Sequence, residues 1–302
     1  MIKKIFGSYT KFVFFAKCTL ATLAALLILY IVLIVNYGSD LGKIKLLNSK
    51  KDSSHPLLEI INSKISGIKF LNYKFEIYSD SIEKNNKEVF ILNNLNAKIL
   101  SKTAPEINLK TPIAIYDEKN GFAHLQNHID ISYDKYHSTM TDILLDLKNN
   151  VAHTKEKFVT YSDEMYFESL NGFTMNQIDF SKIDFSGPIK INYKPKNGKK
   201  ISNLTSDTMT IFYNVKTKML EQAYNYGNVK FKNDNFNISS DKAIYIANDD
   251  TLVFEDNLVI INNGNILYGK KFIYNIAKEQ GQIVADKSNK KRVEIVLDGS
   301  KK

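Results

Sequence analysis

The residues of this chain that could do chemistry are a handful of histidines, a recurring Ser-Asp pair, scattered glycines and one acidic doublet. His124 and His128 stand four apart and would share a face of a strand, with His137 a little further on. A metal centre also needs a third ligand and groups that orient the imidazoles, and the sequence offers neither, so these read as exposed or pocket-edge histidines. The Ser-Asp pairs at Ser162-Asp163, Ser206-Asp207 and Ser240-Asp241 suggest a nucleophile, but no histidine recurs beside them. They read instead as turn residues at strand entries. Gly172, Gly187, Gly227, Gly264, Gly269 and Gly281 are isolated at turns rather than gathered to cradle a phosphate. Asp249-Asp250 lacks the regular acidic spacing of a calcium loop. No catalytic residue, metal or cofactor is therefore expected, and the chain does not read as an enzyme.

The elements around these residues are strands. From about Ile68 the apolar residues recur with period two, as in Ile129-Ile131, Ile143-Leu145-Leu147 and Met209-Ile211-Tyr213-Val215. Between such runs lie turn signals: 117–121, Asn149-Asn150, 196–198, 248–250 and 262–264. Aromatics make up 12% of the chain, all Phe or Tyr, which favours strands. The expected class is all-β: a sandwich, roll or barrel. The Ser-Asp pairs alternate with Asn or Gly turns that run into strands, at 127–131, 227–231 and 257–260. Their spacing is too irregular for a strict solenoid and suits stacked hairpins with loops of different length.

Ahead of the strands, residues 18–35 carry no charge, a stretch long enough to cross a bilayer core of about 30 Å. The apolar run is too long for a signal peptide and no small-residue cleavage site follows it, so a retained anchor is expected over 12–36. Lys3, Lys4, Lys11 and Lys17 precede it, and Lys43, Lys45, Lys50 and Lys51 follow, which leaves the charge rule nearly tied. The short tail, 1–11, has nothing to fold, and that favours tail inside and body exported. Cys18, the sole cysteine, falls within the anchor, so the exported body must be stable without disulfides. Net charge is +9, yet lysines are interspersed with acids and the one arginine is Arg292. That pattern suits solvated strand faces, and nucleic acid is excluded as a partner.

Two stretches carry a resemblance. Residues 112–116, 121–131 and 161–172, behind one anchor and a stem over 37–66, resemble LptC, the bitopic inner-membrane component of the lipopolysaccharide export bridge. The part from about 200, with its Ser-Asp pairs, Gly227-Asn-Val229 and Gly269-Lys-Lys-Phe-Ile-Tyr274, looks like LptA and the wider OstA-like family. The sequence then reads as a fusion: an LptC-like β-jellyroll over 67–195 joined to an LptA/OstA-like β-domain over 196–302. The resemblance implies open β-jellyrolls with an apolar interior for lipid acyl chains, in the periplasm and tethered to the inner membrane. It implies lipopolysaccharide as ligand, an inner-membrane export ABC transporter as partner, and a bridge or outer-membrane Lpt partner joined by β-strand addition.

On that reading the alternating apolar residues line a lipid groove. In the first half these are Ile129, Ile131, Ile143, Leu145 and Phe167. In the second they are Met209, Ile211, Val229, Phe231, Phe236, Ile238, Tyr245, Leu258, Ile260, Phe272 and Tyr274. A dry core would show the same outward pattern. The rival classes are an anchored structural or adhesion β-sandwich with a fully packed core, and an anchored cell-wall enzyme. The last apolar run, Val293-Ile295-Leu297, reads as a terminal strand whose free edge pairs with a partner rather than closing the chain's own roll.

Overall fold

A computed structural model describes residues 58–69, 73–85, 88–100, 106–176, 181–194, 202–214, 220–262, 264–276, 278, 280–284 and 294–296. The expected tail and anchor, most of the stem, and the boundary at 195/196 lie outside them. No helix among the described residues is long and apolar enough to cross a membrane. All the regular structure described is β, as the period-two pattern requires.

The chain forms two compact units. The first contains β1 (Leu58–Lys69), β2 (Tyr73–Lys84), β3 (Val89–Leu100), β4 (Ile107–Asp117), β5 (Phe122–Tyr133), β6 (Tyr136–Asp146) and β7 (Val151–Thr154). These seven pair consecutively and antiparallel. The end of the expected stem is thus already strand, because 58–69 pairs with β2 along its length. The second unit opens with β8 (Phe158–Tyr161) and β9 (Met165–Ser169). β10 (Phe173–Asn176) belongs from Thr174 on to the first unit; the second continues with β11 (Lys182–Tyr193), β12 (Ser202–Tyr213), β13 (Leu220–Lys232), β14 (Asn237–Ile246), β15 (Thr251–Asn262) and β16 (Asn265–Asn275). It ends with β17 (Gln280–Val284) and β18 (Glu294–Val296). β11 pairs both β9 and β12, so the strands flanking the expected domain boundary are neighbours in one unit.

Most long strands break register once near the middle, and the residues at the break explain how the strand bends. In β12, β13, β14 and β15 the shifts fall at 205–208, 226–229, 239–242 and 255–258. The partner strands there carry consecutive residues in left-handed backbone: Gly227 and Asn228 (φ 72 and 44), and Asp256 and Asn257 (φ 62 and 47). In the first unit Asn127 and His128 do the same (φ 62 and 78). Gly, Asn, Asp and His are the types that adopt this conformation at least cost. Facing them, a buried hydroxyl meets backbone carbonyls that the broken ladder leaves unpaired. Ser206 donates to the carbonyl of Thr208 (3.1 Å), Ser240 to that of Lys242 (3.0 Å), and Thr111 lies within reach of Ile113 and Gln126 (3.1 and 2.8 Å).

The Ser-Asp pairs are therefore two different things. Ser162-Asp163 is a turn at the entry of β9, its Ser Oγ accepting the amides of Glu164 and Met165 (3.3 and 3.2 Å). Ser206-Asp207 and Ser240-Asp241 lie inside β12 and β14, at their bends. There the Ser points in and the Asp out, and the Asp accepts from an asparagine of the next strand. Asn228 Nδ2 lies 2.8 Å from Asp207 and Asn257 Nδ2 2.5 Å from Asp241. Ser79-Asp80 repeats the device with Asn94 at 2.7 Å. A bend in a strand uses the same short polar residues as a turn, which is why the sequence pattern points to turns.

In the second unit these bends fold the sheet back on itself. Phe231 of β13 is in line with Ile238 and Ile260, whereas Phe254 lies six residues away along β15. On a flat sheet their positions would be roughly 20 Å apart. Their ring centroids are 5.5 Å apart, so the two halves of the bent sheet face each other across an interior.

The terminal strand is paired along one of its edges. β18 pairs antiparallel with β16, Ile295 opposite Leu267, so the backbone groups on that edge are met within the chain itself. β16 has room for it because β17 pairs only the other half, Lys271–Asn275, beyond the bend.

Candidate lipid-binding interior

Each face of the bent sheet inherits one set of alternating side chains. In the first unit Ile129, Ile131, Ile143 and Leu145 are all buried, with Leu125 opposite Ile143 and Met140 opposite Ile129. In the second unit two inward rows run across one half of the sheet. Met209, Asn225, Ala243, Phe254 and Phe272 form one; Ile211, Ala223, Tyr245, Leu252 and Tyr274 form the other. The facing half supplies Leu204, Phe231, Ile238, Ile260 and Leu267 in line, with Val229 and Leu258 nearer the bend.

Every residue expected to line a groove is buried except Phe236, which is half-buried on the turn between β13 and β14. Phe231, Phe236, Phe254, Phe272 and Tyr274 make a continuous set of ring contacts between 5.5 and 6.4 Å. Phe167 belongs to a second set, with Phe158, Phe173 and Phe185 at 4.8 to 6.0 Å. Phe158, Phe173, Phe185 and the fully buried Phe254 are not among the sequence candidates. Phe254 sits in Leu252-Val253-Phe254, where every position is apolar and alternation cannot choose a face. Phe158 and Phe173 come from four-residue strands too short to show a period, whereas Phe185 alternates with Ile183 and Ile189 in β11 and could have been found.

Most polar groups inside are hydrogen-bonded; the Asn96 Oδ1 and Asp250 Oδ2 atoms are buried without a hydrogen-bond partner. Tyr245 donates to Asp250 (3.0 Å), and both are buried. Burial, then the Asp250 charge, pushes the Tyr245 phenol far above its ordinary value. Tyr193 is pushed up too, by burial and then by the charges of Glu164 and Asp250. The outer face carries charged side chains beside an apolar line through Ile244, Val253 and Ile273. On it Glu255 sits between Lys271 and Lys242 (3.0 and 3.3 Å); burial pushes its carboxyl up, but the two lysines outweigh this and hold it below the usual range.

The histidines make no centre. His124 Nε2 is 2.5 Å from Asp142 and its Nδ1 is 2.7 Å from Gln126, while His128 contacts Asp130 at 3.1 Å in the open. Among the described residues no three His, Cys, Asp or Glu are grouped to hold a metal ion. The inward rows of the described residues offer mainly apolar burial.

Residues 198–280 match the family model for LptA/(LptD N-terminal domain) LPS transport protein. That span holds β12 to β16, the strands whose bent halves face each other. A search of curated protein sequences finds no match. Among solved structures, one similar chain is LptH of Pseudomonas aeruginosa, described as the LptA-homologous periplasmic component of the conserved lipopolysaccharide transport device. The identity is 14% and the TM-score 0.20, over 64% of this chain and 94% of that one.

Proposed function

We propose that this protein is a membrane-anchored, periplasmic component of the lipopolysaccharide export bridge, which holds acyl chains in the apolar interior of its bent sheets. The observation that carries the reading is that the segment matching the LPS transport family model is the one whose inward rows are almost wholly apolar. Acyl chains need only non-directional burial, about 0.8 kcal/mol per methylene, so such a site requires side-chain faces and no catalyst. The anchor over 12–36 would hold the β units beside an export ABC transporter, and the exposed strand edges would join further bridge subunits. The LptC-like character of the first part belongs to the same proposal.

Rings in mutual contact favour a second reading, a structural β-sandwich whose interior is simply full. Mass spectrometry of lipid extracted from the purified full chain separates the two. Stoichiometric lipopolysaccharide supports transport; a lipid-free, fully folded protein supports the packed sandwich.

A further inference from the structure

The turn between β13 and β14 crosses the interior. Its residues, Asn233 to Phe236, close the half of the sheet that carries Phe231 and Ile238, yet they contact Phe272 and Tyr274 in the facing half. Asn233 Nδ2 donates to the Tyr274 hydroxyl at 3.3 Å. The Phe236 ring stands 5.6 Å from Phe272 and 5.8 Å from Tyr274, both edge-on. The turn itself is stiff: Asn233 Oδ1 accepts the amides of Asn235 and Phe236 (2.9 and 2.7 Å), and its own amide donates to the Phe236 carbonyl (3.0 Å).

Phe236 differs from the rings it touches. Phe231, Phe254, Phe272 and Tyr274 are buried within paired strands, so their rings have no open side to swing into. Phe236 is half-buried and its backbone groups are satisfied by Asn233 alone. Its ring is already partly open to solvent, so a rotation about χ1 can carry it out of the interior.

We propose that this turn is a latch across the mouth between the two sheet halves, with Phe236 filling the space that an entering acyl chain takes. The proposal rests on the lipid-binding reading above and adds the element that controls entry. A chain enters when the Phe236 ring swings out and the Asn233–Tyr274 bond opens; the ring returns when the chain leaves.

Stopped-flow binding of cis-parinaric acid to the detergent-solubilised full chain tests this. Phe236→Ala should raise the association rate by roughly tenfold, the factor expected for losing an interaction of aromatic-pair size. Phe236→Leu, which keeps apolar bulk, should lie between that variant and the native chain. Tyr274→Phe, which keeps the ring and loses the bond to Asn233, should raise the rate about twofold. Binding by the native chain with association unchanged or slowed in Phe236→Ala overturns the latch and leaves the lipid reading standing. Absence of probe binding in the native chain and in all three variants overturns both.

Discussion

The rings of Phe231 and Tyr274 lie 5.9 Å apart although two strands, β14 and β15, separate β13 from β16. Only the mid-strand bends bring them together, so their contact reports the folding-over of the sheet. A double-mutant cycle with Phe231→Leu and Tyr274→Leu, followed by urea unfolding, should give a coupling of about 0.5–1.5 kcal/mol. Additive effects would mean that the two halves do not face each other.

The bends have a sharp steric requirement at two glycines. A Cβ on Gly227, whose φ is +72°, would meet Asp207 Oδ2 at 2.3 Å; one on Gly187 would meet the Asp207 carbonyl oxygen at 1.7 Å. Gly227→Ala should destabilise by about 1–3 kcal/mol, whereas Asn228→Gly next to it should cost only about 0.5–1 kcal/mol, for the hydrogen bond to Asp207, because glycine adopts its left-handed backbone freely. Gly187→Ala should be the most damaging, since its clash is with backbone. Urea midpoints of the three variants check the order.

High pH should destabilise the second unit. Tyr245 is held neutral in the fold, first by burial and then by Asp250, so its folded pKa lies well above the ordinary 10.0. The stabilisation is complete below pH 10 and is lost as pH rises from there toward the folded value, because only the unfolded chain releases the proton. The slope should approach about 1.4 kcal/mol per pH unit for this group. Tyr193, raised in the same direction, adds to it. Tyr245→Phe should lower stability at neutral pH by removing the donor to Asp250, and should flatten the alkaline slope. A slope unchanged in Tyr245→Phe would contradict the assignment.

Because β18 pairs with β16, the terminal strand is expected to stabilise its own unit. Ile295→Pro should lower the urea midpoint by the equivalent of about 1–2 kcal/mol, a lost ladder bond and the distortion around it. An unchanged midpoint together with lost crosslinking to a neighbouring subunit would mean that the strand serves a partner rather than its own unit.

Alternation of apolar and polar residues makes most of the interior legible in the chain itself. Ile129, Ile131, Ile143 and Leu145, and likewise Met209, Ile238 and Phe272, are buried where period two puts them. Alternation does not place Phe254, whose neighbours are apolar on both faces, or show that Phe231 meets Tyr274. That contact depends on the angle of a bend, and bend and turn draw on the same residues. Ser206-Asp207 and Ser162-Asp163 look alike in sequence, yet one lies mid-strand and the other between strands. The partners that tell them apart, Asn228 for the first and the Glu164 amide for the second, differ in sequence separation, which a local pattern does not register.

The central claim is that acyl chains occupy the space between the facing halves, and photocrosslinking in cells tests it most directly. Benzoylphenylalanine replaces Phe272 or Phe231, which point inward, and separately their neighbours Ile273 or Lys232, which point outward. The predicted result is lipopolysaccharide adducts from the two inward positions and none from the outward pair. Adducts from the outward positions alone, or none from any position in a folded, anchored protein, would contradict it.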